Sequence, residues 1–152
     1  MHLEVSPLQP AQRPHPPIIM GGRGGPRNSR LAATYADEFN APFMSADEVA
    51  HVFASVRRAC EATGRDPASM RWSAAQVVCC GRDDAEGARR AQAIGRDVDE
   101  LRQNGLTGTP AQVLDRLGRY ADAGVGTCYL QVLDLSDIDH LELVAQEVLP
   151  AV

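Results

Sequence analysis

The sequence predicts an α/β fold in which parallel strands alternate with helices. From about residue 17 onward, short apolar segments alternate with longer segments whose apolar residues recur at helical spacing. Cap and stop signals separate these segments, and a glycine cluster joins the first strand to the first helix. This pattern is typical of repeated strand–helix units, which build parallel sheets.

The first unit begins with the apolar run at 18–20, which is expected to be a strand buried on both faces. It leads into the glycine turn, residues 21–25, and a helix is predicted from 27 to 36. Glycine backbones and the unpaired N–H groups of a helix start together favour an anion, and phosphate is the natural ligand. A glycine run is also typical of a flexible turn, which is the alternative interpretation.

The second unit has a short strand at 37–40 and a helix that begins at a capping box, Ser45 with Glu48. Gly64 is placed to end that helix in the left-handed conformation. A third strand is predicted at 71–80. The helix after it is expected to be continuous, with one apolar face: Ala88, Ala91, Ile94, Val98 and Leu101.

Residues 104–108 are predicted to be a loop, after which Thr109 caps a helix that Gly124 closes. The fourth strand is predicted at 128–133. The last helix follows it, and its buried face is expected to contain Ile138, Leu141, Val144 and Val148. Four such units make either an open doubly wound sheet or half of an eight-unit barrel.

Residues 1–16 contain four of the prolines and little apolar periodicity, and they are predicted to be an extended arm before a domain at 17–152. No run is long enough to span a membrane, and the amino terminus does not resemble a signal peptide, which predicts a cytoplasmic protein. The net charge is −5, all 15 basic residues are arginine, and they are scattered among acids, which argues against a nucleic-acid partner. The absence of lysine excludes a lysine Schiff base and a Gly-Lys-Ser phosphate loop.

Cysteine, histidine and aspartate give no metal-ligand spacing. The four cysteines are expected to be reduced structural thiols, with a redox role for Cys79 and Cys80 as the minority alternative. The four histidines are expected at the surface or in caps. Asp134, Asp137 and Asp139 lack the glycine and distal glutamate of a calcium loop and are interpreted as helix-capping acids.

Four segments in order resemble the bacterial luciferase-like monooxygenases. PIIMGG at 17–22 and RLAATYADEFN at 30–40 are similar to one family stretch, CEATGRDP at 60–67 to a helix end, and GTPAQV at 108–113 to a helix start. The resemblance covers residues 16 to about 150. It implies the carboxyl-terminal half of a TIM-like (β/α)₈ barrel, namely strands five to eight, because nothing in this sequence resembles the first four.

The resemblance also implies a cofactor, either FMN or, as the favoured choice, the deazaflavin coenzyme F-420. The cofactor-binding residues that it implies are Met20, Gly21, Gly22, Arg23, Gly24, Gly25 and Arg27. Three residues near predicted strand ends are candidates for the substrate side: Asn40, Phe43 and Gln131. No catalytic residue is assigned, since the family's usual acid or base belongs to the amino-terminal half.

Three functions therefore remain open. The leading one is an oxidoreductase that uses a reduced flavin or deazaflavin for hydride transfer or oxygenation of a small organic substrate. The second is a fragment without catalytic competence, which forms a homo-oligomer or pairs with a separate amino-terminal half-barrel. The third is a Rossmann-type nucleotide binder, although Arg27 stands where its third glycine would lie.

Overall fold

The computed structural model describes residues 11–152, which contain five strands and six α-helices. The strands are β1 (Ile19–Gly21), β2 (Glu38–Pro42), β3 (Arg71–Cys80), β4 (Leu106–Gly108) and β5 (Thr127–Gln131). The helices are α1 (Pro26–Tyr35), α2 (Ala46–Ala62), α3 (Asp84–Ala93), α4 (Val98–Asn104), α5 (Pro110–Asp122) and α6 (Ile138–Glu147). Short 3₁₀ turns occupy Pro67–Ser69 and Leu149–Ala151.

All strand pairs in the sheet are parallel, which confirms the predicted α/β class. The order is β1-β2-β3, with β5 also paired to β3. The long strand β3 is central, and its last residues, 78–80, pair with β4. β4 lies where a loop was predicted, because a strand of three residues between glycines is specified by pairing with β3 and not by local sequence.

The prediction that the first strand is buried on both faces is wrong. Ile18 and Ile19 are 40% and 52% exposed. β1 pairs only with β2 among the described residues, so it is an edge strand without a layer on both sides. The apolar side chains of this run therefore form a surface that no part of residues 11–152 covers.

The continuous helix predicted after β3 is two helices. Gly95 adopts φ 68°, and Asp97 caps α4 by accepting hydrogen bonds from the backbone N–H groups of Asp99 and Glu100. The apolar period continues through the break because both helices pack on one small core. That core contains Val77, Cys79, Ala91 and Leu101, with Ile94 and Val98 against it.

The main core lies between the other face of the sheet and helices α1, α2, α5 and α6. An aromatic cluster lies within it: Phe53 contacts Phe39 edge-on at 6.5 Å between ring centroids and Trp72 at 4.9 Å. The Arg57 guanidinium stacks over Trp72 at 4.5 Å. Helices therefore cover this face of the sheet, whereas part of the opposite face is open.

The predicted helix boundaries depend on caps that the structure contains. Ser45 with Glu48 and Thr109 with Gln112 form reciprocal capping boxes at the starts of α2 and α5. Gly64 and Gly124 have φ values of 73° and 91° where these two helices end. These caps are local in sequence, which is why the pattern alone located both helices.

The buried face predicted for the last helix is only partly correct. Val144 and Val148 are buried, but Ile138 is 56% exposed and His140 is buried in its place. Residues 1–10 of the predicted arm lie outside the described residues, and residues 11–16 form neither helix nor strand. Among residues 11–152, every helix is too short or too polar to cross a bilayer.

Candidate functional site

The glycine turn starts at the carboxyl end of β1 and lies against the next strand. Gly21 is the register partner of Asn40, and the Gly22 N–H donates a 3.2 Å hydrogen bond to the Asn40 carbonyl. Gly22 has φ 148°, and a Cβ there would lie 2.9 Å from Oδ1 of Asn28. The structure thus brings Gly21, Gly22 and Asn40 together at one end of the sheet.

Gly24 anchors the turn to helices α1 and α2. Its carbonyl accepts 2.9 Å hydrogen bonds from the hydroxyls of Ser29 and Ser55. Its φ is 64°, and a Cβ would lie 3.1 Å from Cγ1 of Val52. These contacts attach the Gly24 carbonyl to both helices, which favours a structured turn over the flexible connection that a glycine run also suggests.

The amino end of α1 offers its backbone to a ligand. Gly25 is the N-cap and has no side chain, Pro26 follows it, and the first turn contains no acidic residue. Among the α-helices of residues 11–152, the other five have a side-chain oxygen that accepts at this position. The end of α1 therefore keeps its partial positive charge without a protein acceptor, and it can take the phosphate of a cofactor.

The two arginines predicted at this turn have different surroundings. Arg23 is 3.5 Å from the Glu48 carboxylate, and its side chain is 75% exposed. The Ser45 backbone and hydroxyl, together with Arg23, lower the pKa of Glu48, which keeps this partner anionic. Arg27, in the first turn of α1, is exposed. A phosphate contact from either side chain remains a prediction.

The three predicted substrate-side residues lie on or directly after two strands, β2 and β5. Asn40 donates from Nδ2 to the Ser73 hydroxyl at 2.9 Å. Phe43 follows β2 with φ 53°, a strained conformation for a residue with a side chain, and the residue is 43% exposed. Gln131 ends β5, which β2 and β3 separate from β1.

The open face of the sheet carries a polar cluster that the sequence interpretation missed. Glu38, which is 3% exposed, accepts hydrogen bonds through Oε1 from the Ser73 hydroxyl at 2.6 Å and the Tyr129 hydroxyl at 2.9 Å. Its Oε2 lies 3.3 Å from Nε of Arg71. The hydrogen bond to Glu38 raises the pKa of Tyr129, so the phenol stays protonated at neutral pH.

A signal for this cluster is present in the sequence. Glu38 and Asn40 alternate with Phe39 and Ala41, which places polar and apolar side chains on opposite faces of β2. The register of β2 on β3 then aligns Glu38 with Arg71 and Asn40 with Ser73. The alternation predicts a polar face, but only the register shows which residues meet.

A second buried polar cluster lies at the carboxyl end of β3. Arg90, 4% exposed, donates to the Cys80 carbonyl at 2.8 Å, to Asp137 at 2.9 Å and to Asp139 at 2.7 Å. Asp137 also caps α6, as interpreted from the sequence, by accepting from the His140 N–H. Arg90 thereby ties α3 to the start of α6.

His140 lies in this cluster and not at the surface, which corrects the expectation for that histidine. Its Nε2 accepts a 3.0 Å hydrogen bond from the Cys80 N–H. Burial lowers the pKa of His140, and Arg90 lowers it further, so the neutral ring is favoured. The residue completes the backbone hydrogen bonding where β3 ends.

The four cysteines are free. Cys60, Cys79 and Cys80 are buried, and Cys128 is partly buried. Burial raises the pKa of Cys80 and of Cys128 to about 11, so little thiolate exists at neutral pH. This environment is that of structural thiols.

The turn at the end of β1 leads into the uncapped amino end of α1, which is consistent with a phosphate-bearing cofactor. A comparison with protein families identifies the family of the chain. The family model for luciferase-like monooxygenases matches residues 2–99, which is more than half of the chain. The chain belongs to the luciferase-like monooxygenase family. A comparison with curated proteins found no match.

Solved structures of this family share the fold. The coenzyme F-420-dependent tetrahydromethanopterin reductase from Methanopyrus kandleri superposes with a TM-score of 0.68 at 19% identity, over 88% of this chain and 50% of that one. An F-420-dependent secondary alcohol dehydrogenase, in complex with an F-420–acetone adduct, gives 0.72 at 14% identity, over 89% and 48%.

A third neighbour contains FMN. It is the oxygenating constituent of 3,6-diketocamphane monooxygenase from Pseudomonas putida, with a TM-score of 0.63 at 19% identity over 91% of this chain and 49% of that one. The luciferase-like chain described here therefore spans about half the length of its solved neighbours. Both F-420 and FMN occur among them.

Proposed function

We propose that this luciferase-like chain is the carboxyl-terminal half of an oxidoreductase barrel. The complete barrel uses a reduced deazaflavin or flavin for hydride transfer or oxygenation of a small organic substrate. The observation that supports it most strongly is the open amino end of α1 beside the fixed glycine turn. Parallel-stranded barrels bind ligands at the carboxyl ends of their strands, which is where this turn lies.

The residues of the turn fit the phosphate of such a cofactor. Gly21, Gly22 and Gly25 present backbone without side chains, and the start of α1 supplies N–H donors and a partial positive charge. Gly24 fixes their positions through Ser29 and Ser55. These residues bind and orient the cofactor, and the bound ring supplies the hydride or oxygen chemistry.

The open face of the sheet forms part of the inner wall in this proposal. Ser73 and Tyr129 hold the Glu38 carboxylate, and Asn40 extends the polar surface toward the glycine turn. The exposed ring of Phe43, held by a strained backbone, lines the substrate side. The amino-terminal half, on the same polypeptide or on a partner chain, supplies the remaining wall and the catalytic acid or base.

The deazaflavin is the favoured cofactor, because the glycine turn and the GRDP helix end resemble members of the family that use it. Titration of the purified chain with coenzyme F-420 and with FMN tests the choice by the change in cofactor fluorescence. We expect F-420 to bind more tightly. Tighter binding of FMN would make FMN, and not F-420, the cofactor of this chain. If neither cofactor binds even when the amino-terminal half is supplied, the proposal is contradicted.

The alternative is a fragment without catalytic competence, which forms a homo-oligomer or pairs with a separate amino-terminal half-barrel. The open sheet face and the edge strands β1 and β5 favour it, since an exposed parallel edge and apolar side chains promote association. Activity with a reduced cofactor, measured before and after addition of the amino-terminal half, separates the two cases. Turnover once the amino-terminal half is added supports the proposed barrel, and turnover in either measurement would contradict the alternative.

A further inference from the structure

A second polar cleft, separate from the glycine turn but beside it, is formed by three helices. The amino end of α2, the carboxyl end of α4 and one side of α5 enclose about 500 Å³. Three guanidinium groups line this arginine cleft, from Arg102, Arg116 and Arg119. The neutral residues Ser45 and Tyr120 border it as well, and all these residues belong to the described part of the chain.

Arg116 is the arginine of this cleft that forms no ion pair in the part of the chain that the structure describes. It is partly buried, and its Nη1 donates only to the carbonyls of Leu101 at 3.4 Å and Gly105 at 3.2 Å. Within residues 11–152, no carboxylate forms a salt bridge with it. Burial lowers the pKa of Arg116, and the charges of Arg119 and Arg102 lower it further, against opposing effects of Tyr120 and of the neighbouring Asp115.

The other charges of the cleft are largely neutralised in pairs. Arg102 is 2.9 Å from Asp99, and Arg119 is 2.9 Å from Asp115. Asp47 also lines the cleft, at the start of α2, and opposes an anion on that side. A partly buried guanidinium that borders a cleft and lacks a counter-ion is stabilised by an anion that accepts two of its hydrogen bonds.

The cleft adjoins the glycine turn. Asp47, in its lining, precedes Glu48, and Glu48 is ion-paired with Arg23 of the turn at 3.5 Å. We propose that the arginine cleft is a second anion-binding site that takes a phosphate or neighbouring carboxylates. The anion is either free in solution or the carboxylate-bearing tail of a deazaflavin held at the glycine turn, and this second source rests on the proposed function.

Calorimetric titration at constant ionic strength tests the site with two probes, inorganic phosphate and γ-glutamylglutamate. We expect Arg116→Gln to weaken binding of both by about tenfold or more, since charge-assisted hydrogen bonds are lost. Arg58→Gln, an exposed arginine on α2 outside the cleft, is the matched control and leaves binding unchanged. Equal affinity for wild type and Arg116→Gln, or no binding by wild type, overturns the proposal.

A second variant covers the case in which Arg116→Gln does not fold. The double variant Arg102→Gln/Arg119→Gln changes two exposed side chains, so we expect it to fold and to bind both probes several times more weakly. Unchanged affinity in this variant, when Arg116→Gln cannot be measured, also overturns the proposal.

Two cofactor titrations separate the sources of the anion. Weaker binding of coenzyme F-420 but not of FMN by Arg116→Gln assigns the cleft to the cofactor tail. Weaker binding of phosphate alone assigns it to a free anion. If neither cofactor binds, the proposed function is contradicted but the arginine cleft can still be an anion site. If a cofactor binds but Arg116→Gln leaves the affinity for phosphate and for γ-glutamylglutamate unchanged, only the anion site in the cleft is contradicted.

Discussion

The glycines of the glycine turn differ in whether the structure leaves space for a Cβ atom, so substitution by alanine at two of them is a paired test. Gly24 has φ 64°, and a Cβ there would lie 3.1 Å from Cγ1 of Val52, which is a tight contact; we therefore expect Gly24→Ala to lower the free energy of unfolding by about 1–3 kcal/mol. It should also weaken cofactor binding, because the turn must shift. Urea unfolding followed by the fluorescence of Trp72, the one tryptophan, measures the first effect.

The neighbouring Gly25 is the control. A Cβ there meets nothing within 4 Å, and its φ of −64° is ordinary for any residue. Gly25→Ala should change the free energy of unfolding by about 1 kcal/mol or less, because the loss of a favourable N-cap residue is offset by the lower entropy of the unfolded chain. Similar losses for the two variants would show that close packing at Gly24 does not fix the turn.

Arg90 and its neighbour Arg89 form a second matched pair, because one is buried and hydrogen-bonded and the other is exposed. Arg90 is buried and donates to Cys80, Asp137 and Asp139, whereas the Arg89 side chain is 67% exposed and lies 3.7 Å from Glu86. We expect Arg90→Met to cost about 2–3 kcal/mol, because the buried Cys80 carbonyl and the partly buried Asp137 carboxylate each lose a donor, whereas the half-exposed Asp139 keeps Arg82. Arg89→Met should stay within about 0.5 kcal/mol by the same denaturation.

At the scale of elements, the attachment of α6 to β3 depends on pH through His140. The neutral His140 ring accepts a hydrogen bond from the Cys80 N–H. Burial lowers the pKa of His140 in the folded protein below its value of about 6.5 in the unfolded chain. The unfolded chain thus binds the proton first. The stability is present above that value and is lost as pH falls toward the folded pKa, so unfolding should be easier at pH 5.5 than at 7.5.

His140→Gln and His51→Gln separate this effect from general acid sensitivity. Asp137 and Asp139 in the same cluster have lowered pKa values, so they remain ionised throughout this pH window, as does Arg90. His51 is exposed on α2. Between pH 7.5 and 5.5, urea titrations should show that His140→Gln loses the pH dependence and that His51→Gln keeps it. The reverse result would contradict the assignment.

At the scale of the whole molecule, uncovered surface predicts association of the chain. Ile19 lies on an edge strand and is 52% exposed, so Ile19→Lys should weaken self-association by about tenfold or more without a loss of stability. Sedimentation velocity over a range of concentrations measures it. Leu135→Lys is the control, since Leu135 is 72% exposed but lies in the loop between β5 and α6 and belongs to neither edge strand. Concentration-independent sedimentation of wild type would contradict the prediction.

The sequence by itself determined the elements that local chemistry specifies. The capping boxes at Ser45 and Thr109, and the left-handed glycines at 64 and 124, located α2 and α5, and the period of apolar residues gave the α/β class. The glycine turn after the first strand identified the candidate phosphate site, since backbone freedom and a helix start are both properties of neighbouring residues.

Only the tertiary structure decided what depends on distant neighbours. The exposure of β1, the strand β4, and the clusters around Glu38 and Arg90 join residues that are 10 to 91 positions apart in the chain. Strand register and helix packing determine these contacts, and no local sequence pattern specifies them. The physical reason is that a short apolar or charged segment fits several environments, and the partner across the fold selects one.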